Sequence, residues 1–399
     1  MITTADAQQI ISAHAFDLGV EPVPFEQALG RILREDIVAD RDFPPYDRVA
    51  MDGIAIRYQE YQKGIRTFDI EGIAAAGVPK KSWDKPNACL EIMTGAIMPE
   101  GLDTVIPYEQ VHIQDQKATL MAEHNPVKAQ QNIHFQGQDR KKGDVLIRPG
   151  RKLAAPEMGV CATVGKTMLQ VSQRPKALIL SSGDELVDMA QKPKAHQIRK
   201  SNVHRLRASL QNMHVPADIA HLTDDFDTIV KKLAGHLKSY DLIILSGGVS
   251  KGKYDYLPEA LEQVGVEKHF HRVAQRPGKP FWFGTHDTTT VFAFPGNPVS
   301  SFMCMQQYLR PWLQKSMRQE AGPDTFAVLS EDVSFKPDLT YFLSVRVRTS
   351  ASGQWIAQPV KGHGSGDLAN LLETNAFLVL PMGRDVYQKG EAYQVMWYN

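Results

Sequence analysis

The sequence predicts a multidomain chain of mixed class, α/β plus all-β, in which an open, mostly parallel α/β sheet is joined to regions built from short strands. Three observations carry this. The chain has 399 residues, 43% of them hydrophobic, which is more than one core usually organises. From residue 174 apolar strands alternate with amphipathic helices, the rhythm of an open α/β sheet. Residues 65–148, and the chain after about 320, are instead short β-rich runs broken by Gly, Pro and charged turns.

Taken in order, Thr3 or Thr4 can cap a helix over "ADAQQIISAHAF", and Pro24 suits the first turn of a second helix, "PFEQALGRIL". The texture changes near Phe43. "RTFDIEGIAA", "ACLEIMTGA", "DTVIPYEQVHI" and "KATLMAEH" then read as strands of an inserted β module, and "AAPEMGVCATVG" returns to helix. A discontinuous domain therefore flanks the insertion. Next come the strands "KALILSSG", "ADIAHLT", "DLIILSGG" and "TVFAFPG". Between and after them, Val203, Leu206, Leu210 and Met213, then Phe226, Ile229, Val230, Leu233 and Leu237, then Phe302, Met305, Leu309 and Trp312 recur at helical spacing. "FAVLSEDV", "YFLSVRVRT", "WIAQPV", "FLVLP" and "AYQVMWY" close the chain as a small β domain, and no internal repeat is found.

Composition excludes several classes. Forty-five Lys plus Arg balance forty-five Asp plus Glu, so no net field draws in nucleic acid or an acidic membrane, and a charged ligand must be held by a local cluster. Cys89, Cys161 and Cys304 lie far apart without a CxxC pair, which argues against a disulfide framework or thiolate zinc site and fits a reducing cytoplasm. The N-terminus lacks the apolar core of a signal peptide, and no run approaches the ~18 apolar residues of a membrane span. HExxH, GxSxG and GxxxxGK(S/T) are all missing, which removes support for metalloprotease, α/β-hydrolase and P-loop ATPase readings.

In open α/β sheets ligands gather beyond the carboxyl ends of the strands, where helix N-termini present free N–H groups. Three strand ends suit this: Ser181 to Glu185, Ser246, Gly247, Gly248, Val249 and Ser250, and Pro295, Gly296, Asn297 and Pro298. Glycine lets backbone approach a ligand, and Asn297 with Pro298 is a cap and first-turn pair. Together the three read as a cradle for an anion. Arg272, Arg276 and Lys279 in "HRVAQRPGKP" can supply counter-charge from a strand and loop. Asp52, Asp139, Glu185, Asp224, Asp225 and Asp255 all sit at turns; beside phosphate such carboxylates suit Mg²⁺, although each alone also suits a turn or cap. His269 and His271 alternate as on a strand face and lack partners at metal spacing, which suits a structural role.

"AMDGIA" (50–55), "IMTGAIMPEG" (92–101), "SSGDEL" (181–186), "SGGVSKGKYDY" (246–256), "RPGKPFWFG" (276–284), "FPGNPVS" (294–300) and "GHGSG" (362–366) together resemble the signature segments of the MoeA family, the molybdopterin molybdenumtransferases, which include the E domain of gephyrin. The resemblance runs in family order over nearly the whole chain. It implies a discontinuous elongated dimerisation domain (1–42 and 143–173), a β-rich lid (43–142), an α/β catalytic domain similar to molybdopterin adenylyltransferases (174–320) and a C-terminal β domain (321–399). It also implies a cytoplasmic homodimer whose active site is shared between subunits, in possible contact with other enzymes of molybdenum cofactor biosynthesis. The implied activity inserts molybdenum from molybdate into adenylylated molybdopterin with release of AMP, aided by Mg²⁺.

By the same resemblance, Glu185, Asp224 and Asp255 are catalytic or metal-organising acids, with Asp52 and Asp139 also catalytic. Ser246, Gly247, Gly248, Ser250, Pro295, Gly296, Asn297 and Pro298 form the nucleotide cradle, and Arg272, Arg276, Lys279 and Ser365 line the anion pocket. Asp52, Thr94 and Asp139 reach in from the partner's lid. The chain departs from the family pattern at His134, commonly Arg, at Lys200, usually acidic, and at Glu91, commonly Arg; Arg272 and Arg276 stand where Lys is frequent. Two other readings stand beside this one: a molybdopterin adenylyltransferase, which the lid and C-terminal β domain disfavour, and a non-catalytic molybdopterin-binding or protein-binding scaffold.

Overall fold

Uninterrupted apolar runs make strands that are covered on both faces. Ala177–Ser182, Leu242–Ser246 and Thr289–Phe294 are of this kind, each buried along almost its whole length. The computed structural model describes residues 1–121, 126–249 and 256–398. The strands belong to a six-stranded sheet in the order Ala217–Leu222, Ala177–Ser182, Leu242–Ser246, Thr289–Phe294, Trp282–His286, Glu267–His271. The first four run parallel, the fifth runs against them, and the sixth, antiparallel to the fifth, runs with the first four again. From Ala177–Ser182 the chain crosses first to one side and then to the other, so the strand order reverses beside that strand. The topological switch point lies there, between Ser182 and Ser246.

Helices cover both faces. Ser201–Asn212 and Pro298–Cys304 put Val203, Leu206, Leu210, Phe302 and Met303 into one core cluster with Ile179 and Phe292. Phe226–His236 and Leu257–Gln263 pack Ile229, Leu233, Leu257 and Leu261 against Leu178 and Ile243. Asp225 caps the first of these two, its side chain accepting from Thr228 N. Pro298–Cys304 runs on through a π-helical turn, Met305–Leu309, into Arg310–Ser316. Pro311 has no N–H to donate back into that stretch, and the widened turn accommodates the loss.

The chain divides into two compact units, one made of Met1–Glu35, Pro149–Ala155 and Thr167–Asn399, the other of Asp36–Arg148 and Pro156–Lys166. In the first unit Thr3 caps the helix Thr4–Ala13 in a reciprocal box with Asp6. The helix expected over "PFEQALGRIL" does not form. Pro24 instead ends a strand, Val20–Pro24, paired with Met168–Ser172. Only one 3₁₀ turn, Phe25–Gln27, follows. Ile32 and Leu33 then bridge Lys152 and Val171, so distant strand partners outweigh the local helical pattern. Near the C-terminus, Thr340–Thr349 pairs with Trp355–Pro359 on one side and Ala376–Leu380 on the other. Through Phe326–Leu329 and Ala392–Trp397 the circuit closes into a small barrel around Val345, Leu378 and Val395.

The second unit carries its own six-stranded sheet, ordered Thr104–Pro107, Gly53–Ile56, Ala88–Ile92, Thr67–Ala74, Lys117–Leu120, Val111–Gln114. Its faces hold separate cores, one around Leu90 and Val105, the other around Ile54 and Phe68. No helix among the described residues is long and apolar enough to cross a membrane.

Candidate active site

The carboxyl ends of the parallel strands converge as the sequence anticipates. A cavity of about 680 Å³ is lined by Ser181, Ser182, Gly183 and Glu185, by Asp224, by Ser246 to Val249 and by Pro295 to Pro298. The three loops are in near contact: a Cβ placed on Gly247 would lie 3.4 Å from Ser182 O, and one on Gly296 3.5 Å from Gly247 Cα. Gly248 has φ +70°, and a Cβ there would meet Leu257 Cδ1 at 2.6 Å. Backbone lies bare where side chains would fill the floor.

Side chains that the sequence did not single out brace these loops. Asn202, on the first turn of Ser201–Asn212, donates from Nδ2 to Ser246 Oγ at 3.1 Å and to Gly296 O at 2.6 Å. Behind it Arg205 Nη2 donates to Asn202 Oδ1, Pro298 O and Ser301 Oγ. Burial brings the Arg205 guanidinium down to about 10, still cationic at neutral pH. His271 Nε2 donates to Val249 O at 3.0 Å, and His269 pairs with Thr285 Oγ1 at 2.8 Å, so both strand histidines hold protein atoms.

Asn297 occupies the cap position with Pro298 following, yet its side chain makes no cap bond. This corrects the expected capping role. Nδ2 donates instead to Ser365 Oγ at 2.8 Å, while Val299 N donates to Ser365 O at 3.0 Å. The glycine-rich loop after the barrel strand Trp355–Pro359 is thereby tied to the helix start. Ser365 and Asn297 also line a second cavity of about 460 Å³, together with Arg276 and Lys279; Pro280, Pro295 and Asn297 are common to both linings, so the two are adjoining. Arg276 and Lys279 are exposed, whereas Arg272 is half-buried with φ +81° and lines neither cavity.

Asp224 and Asp184 clasp each other's backbone: Asp184 N donates to Asp224 Oδ2 and Asp224 N to Asp184 Oδ1, each at 3.2 Å. Ser182 Oγ reaches Asp224 Oδ1 at 3.4 Å. Glu185 is exposed and folds its carboxylate over Gly183. Asp255 and Ser250 lie outside the described residues, and among the described residues no three His, Cys, Asp or Glu are grouped to hold a metal. Lys200 joins the lining of the first cavity and pairs with Asp188 at 3.0 Å. At the sheet edge His221 Nδ1 is 2.9 Å from Ser181 Oγ; burial, then Lys200 and Lys232, lower its pKa.

In the second unit the predicted residues form two couples. Asp52 Oδ1 accepts from Thr94 N at 2.6 Å and from Thr94 Oγ1 at 2.7 Å, which lowers its pKa. Asp139 Oδ1 accepts from His134 Nε2 at 2.9 Å, and His134 Nδ1 in turn accepts from Arg48 Nη2 at 3.1 Å. Arg48 thus puts a guanidinium on the same hydrogen-bonded chain as His134 and Asp139. Glu91 accepts from Tyr108 Oη at 3.3 Å, and burial with Glu91 pushes that phenol up to about 12.

Residues 2–165 match the MoeA N-terminal region (domain I and II), residues 178–315 a probable molybdopterin binding domain and residues 327–397 the MoeA C-terminal region (domain IV). A molybdopterin molybdenumtransferase of Synechocystis sp. is 39% identical over 398 residues, 98% of this chain and 99% of that protein. The chain belongs to the MoeA family. The molybdopterin molybdenumtransferase of Haemophilus influenzae is 31% identical over 405 residues, covering 100% and 99% of the two chains. Among solved structures, the molybdopterin biosynthesis MoeA protein of Pyrococcus horikoshii OT3 superposes with a TM-score of 0.85 at 26% identity, covering 100% of both chains. The MoeA membership and the mixed multidomain fold expected from the loop motifs both hold.

Proposed function

We propose that this chain inserts molybdenum from molybdate into adenylylated molybdopterin and releases AMP. The observation that carries this reading is the junction of three backbone-lined strand-end loops with Glu185 and Asp224 at one sheet rim, beside a groove holding Arg276, Lys279 and Ser365. Molybdate and pyrophosphate are both oxyanions. Free N–H groups, an ammonium and a guanidinium suit them, and preorganised donors are worth more where water is excluded. Ser246, Gly247, Gly248, Ser250, Gly296 and Asn297 would cradle the nucleotide, with Pro295 and Pro298 fixing the loop. Arg276, Lys279 and Ser365 would hold the anion, and Arg272, which lines neither cavity, would add its charge only from behind them.

The oxygen donors at this rim fit Mg²⁺, which uses one or two protein carboxylates beside phosphate oxygens and water. Glu185 and Asp224 would hold it together with Asp255, and when bound the ion would polarise the scissile phosphoanhydride. The clasp with Asp184 would keep the Asp224 carboxylate aimed while leaving it lone pairs. Asp52, Thr94 and Asp139 are assigned to the same reaction from a partner subunit's lid, in a cytoplasmic homodimer able to meet other enzymes of molybdenum cofactor biosynthesis. The domain division proposed is 1–42 with 143–173, 43–142, 174–320 and 321–399.

The test is incubation of the purified protein with adenylylated molybdopterin, molybdate and Mg²⁺, reading AMP and active cofactor. Stoichiometric AMP release dependent on molybdate is expected. Tight binding of the nucleotide with no AMP released would overturn the reading in favour of a scaffold.

A further inference from the structure

We propose that a separate cavity lined by Arg31, Lys152, Arg174, His214 and Arg310 binds a phosphate dianion, free or as a small phosphate monoester. The cavity holds about 270 Å³ and shares no lining residue with the two described above. Its cations come from separate stretches: after the 3₁₀ turn, from the segment 149–155, after the strand Met168–Ser172 and from the start of Arg310–Ser316. Among the described residues no carboxylate lines it. Glu21, close by, pairs with Arg31, while Lys152, Arg174 and Arg310 form no ion pair among the described residues. Arg310 turns Nη1 to neutral acceptors, Gln306 Oε1 at 3.3 Å and Trp397 O at 3.0 Å.

A basic cluster is most often a solvated face, and two features speak against that here. Arg174 Nε is buried and has no hydrogen-bond partner, a state that costs free energy unless an acceptor arrives. His214 ends the helix Ser201–Asn212 in a left-handed conformation, φ +59°, with His214 N bonded to Gln211 O and Val215 N to Leu210 O. Glycine usually fills that position. The ring is housed over Gly30, where a Cβ would lie 2.0 Å from Nε2. Burial, then Lys152, Arg174 and Arg31, lower the His214 pKa, and burial, then Arg31, lower that of Arg174. Like charges gathered this way repel, and a dianion relieves that repulsion while accepting the orphaned N–H.

Size narrows the ligand. The space falls short of the roughly 300–1,000 Å³ of sites for drug-sized molecules, so it suits a phosphate with at most a small organic group. Trp397 and Tyr398 border it and give such a group an apolar wall.

Titration calorimetry of the full chain with inorganic phosphate, and separately with phenyl phosphate, at ionic strength held constant with NaCl, tests this. Both titrations are run on Lys279→Ser, in which the strand-end groove has lost a cation, so that the remaining heat reports this cavity; adding Arg174→Gln then weakens binding about tenfold or more. Lys152→Ser, on an exposed side chain, weakens it as well and serves if Arg174→Gln folds poorly. Tighter binding of phenyl phosphate than of phosphate identifies a monoester as the ligand, and the reverse identifies free phosphate. Heat equal to that of NaCl in Lys279→Ser, or a signal there untouched by adding Arg174→Gln and Lys152→Ser, overturns the proposal.

Discussion

Asp224 and Asp52 are both carboxylates at turns beside glycine-containing motifs, yet their surroundings differ. Asp224 exchanges backbone hydrogen bonds with Asp184 of a neighbouring loop, inside a cavity lined by bare backbone. Asp52 spends one oxygen on both donors of Thr94 within its own unit, and Asp139 closes a chain of its own with His134 and Arg48. The α/β rim is braced from behind and open in front, whereas in the second unit Asp52 and Asp139 are each held by side chains or backbone of that same unit. The first region offers bare backbone donors, and the second lends the carboxylate oxygens that Thr94 and His134 leave free.

That contrast can be attacked, beginning where the effect should be greatest. Gly248→Val forces a β-branched residue to φ +70° against Leu257 and should cost about 2–3 kcal/mol of stability by urea denaturation, with AMP release lost. Asp224→Asn keeps the fold and should slow AMP release roughly a hundredfold, the scale of losing one group that organises charge in a transition state. Asn202→Ala removes the donor to Ser246 and Gly296; at about 1 kcal/mol per bond, about 2 kcal/mol for the pair, activity should fall roughly thirtyfold. Should Asp52→Asn slow AMP release as much as Asp224→Asn, the contrast fails.

Smallest is a pH effect. The Thr94 hydrogen bonds depress the Asp52 pKa below its ordinary 3.8, so the stabilisation they bring is complete above that value and disappears as pH falls through the folded-state pKa. Thr94→Val should therefore lower stability slightly at neutral pH and leave it unchanged in strong acid, which acid titration followed by circular dichroism would register.

Much of this was legible along the chain. Continuous apolar runs ending in small polar residues placed the strands and their loops, because burial on both faces demands the first and a close ligand the second. The false helix over "PFEQALGRIL" shows the limit: its apolar spacing is helical, but Ile32 and Leu33 answer to Lys152 and Val171. Asn202 and Arg48 stayed hidden for the same reason. Asn202 meets partners 44 and 94 residues away, and Arg48 one 86 residues away; nothing local marks a side chain whose role is to tie distant loops.

The tie between Asn297 and Ser365 has a consequence for how the molecule can be cut. A version ending near residue 320 would keep every strand of the central sheet, yet Asn297 Nδ2 and Val299 N would both lose their acceptors. The terminal barrel thus works as a splint for the loop it grips, and shortening the protein there should loosen the nucleotide seat before it unfolds anything.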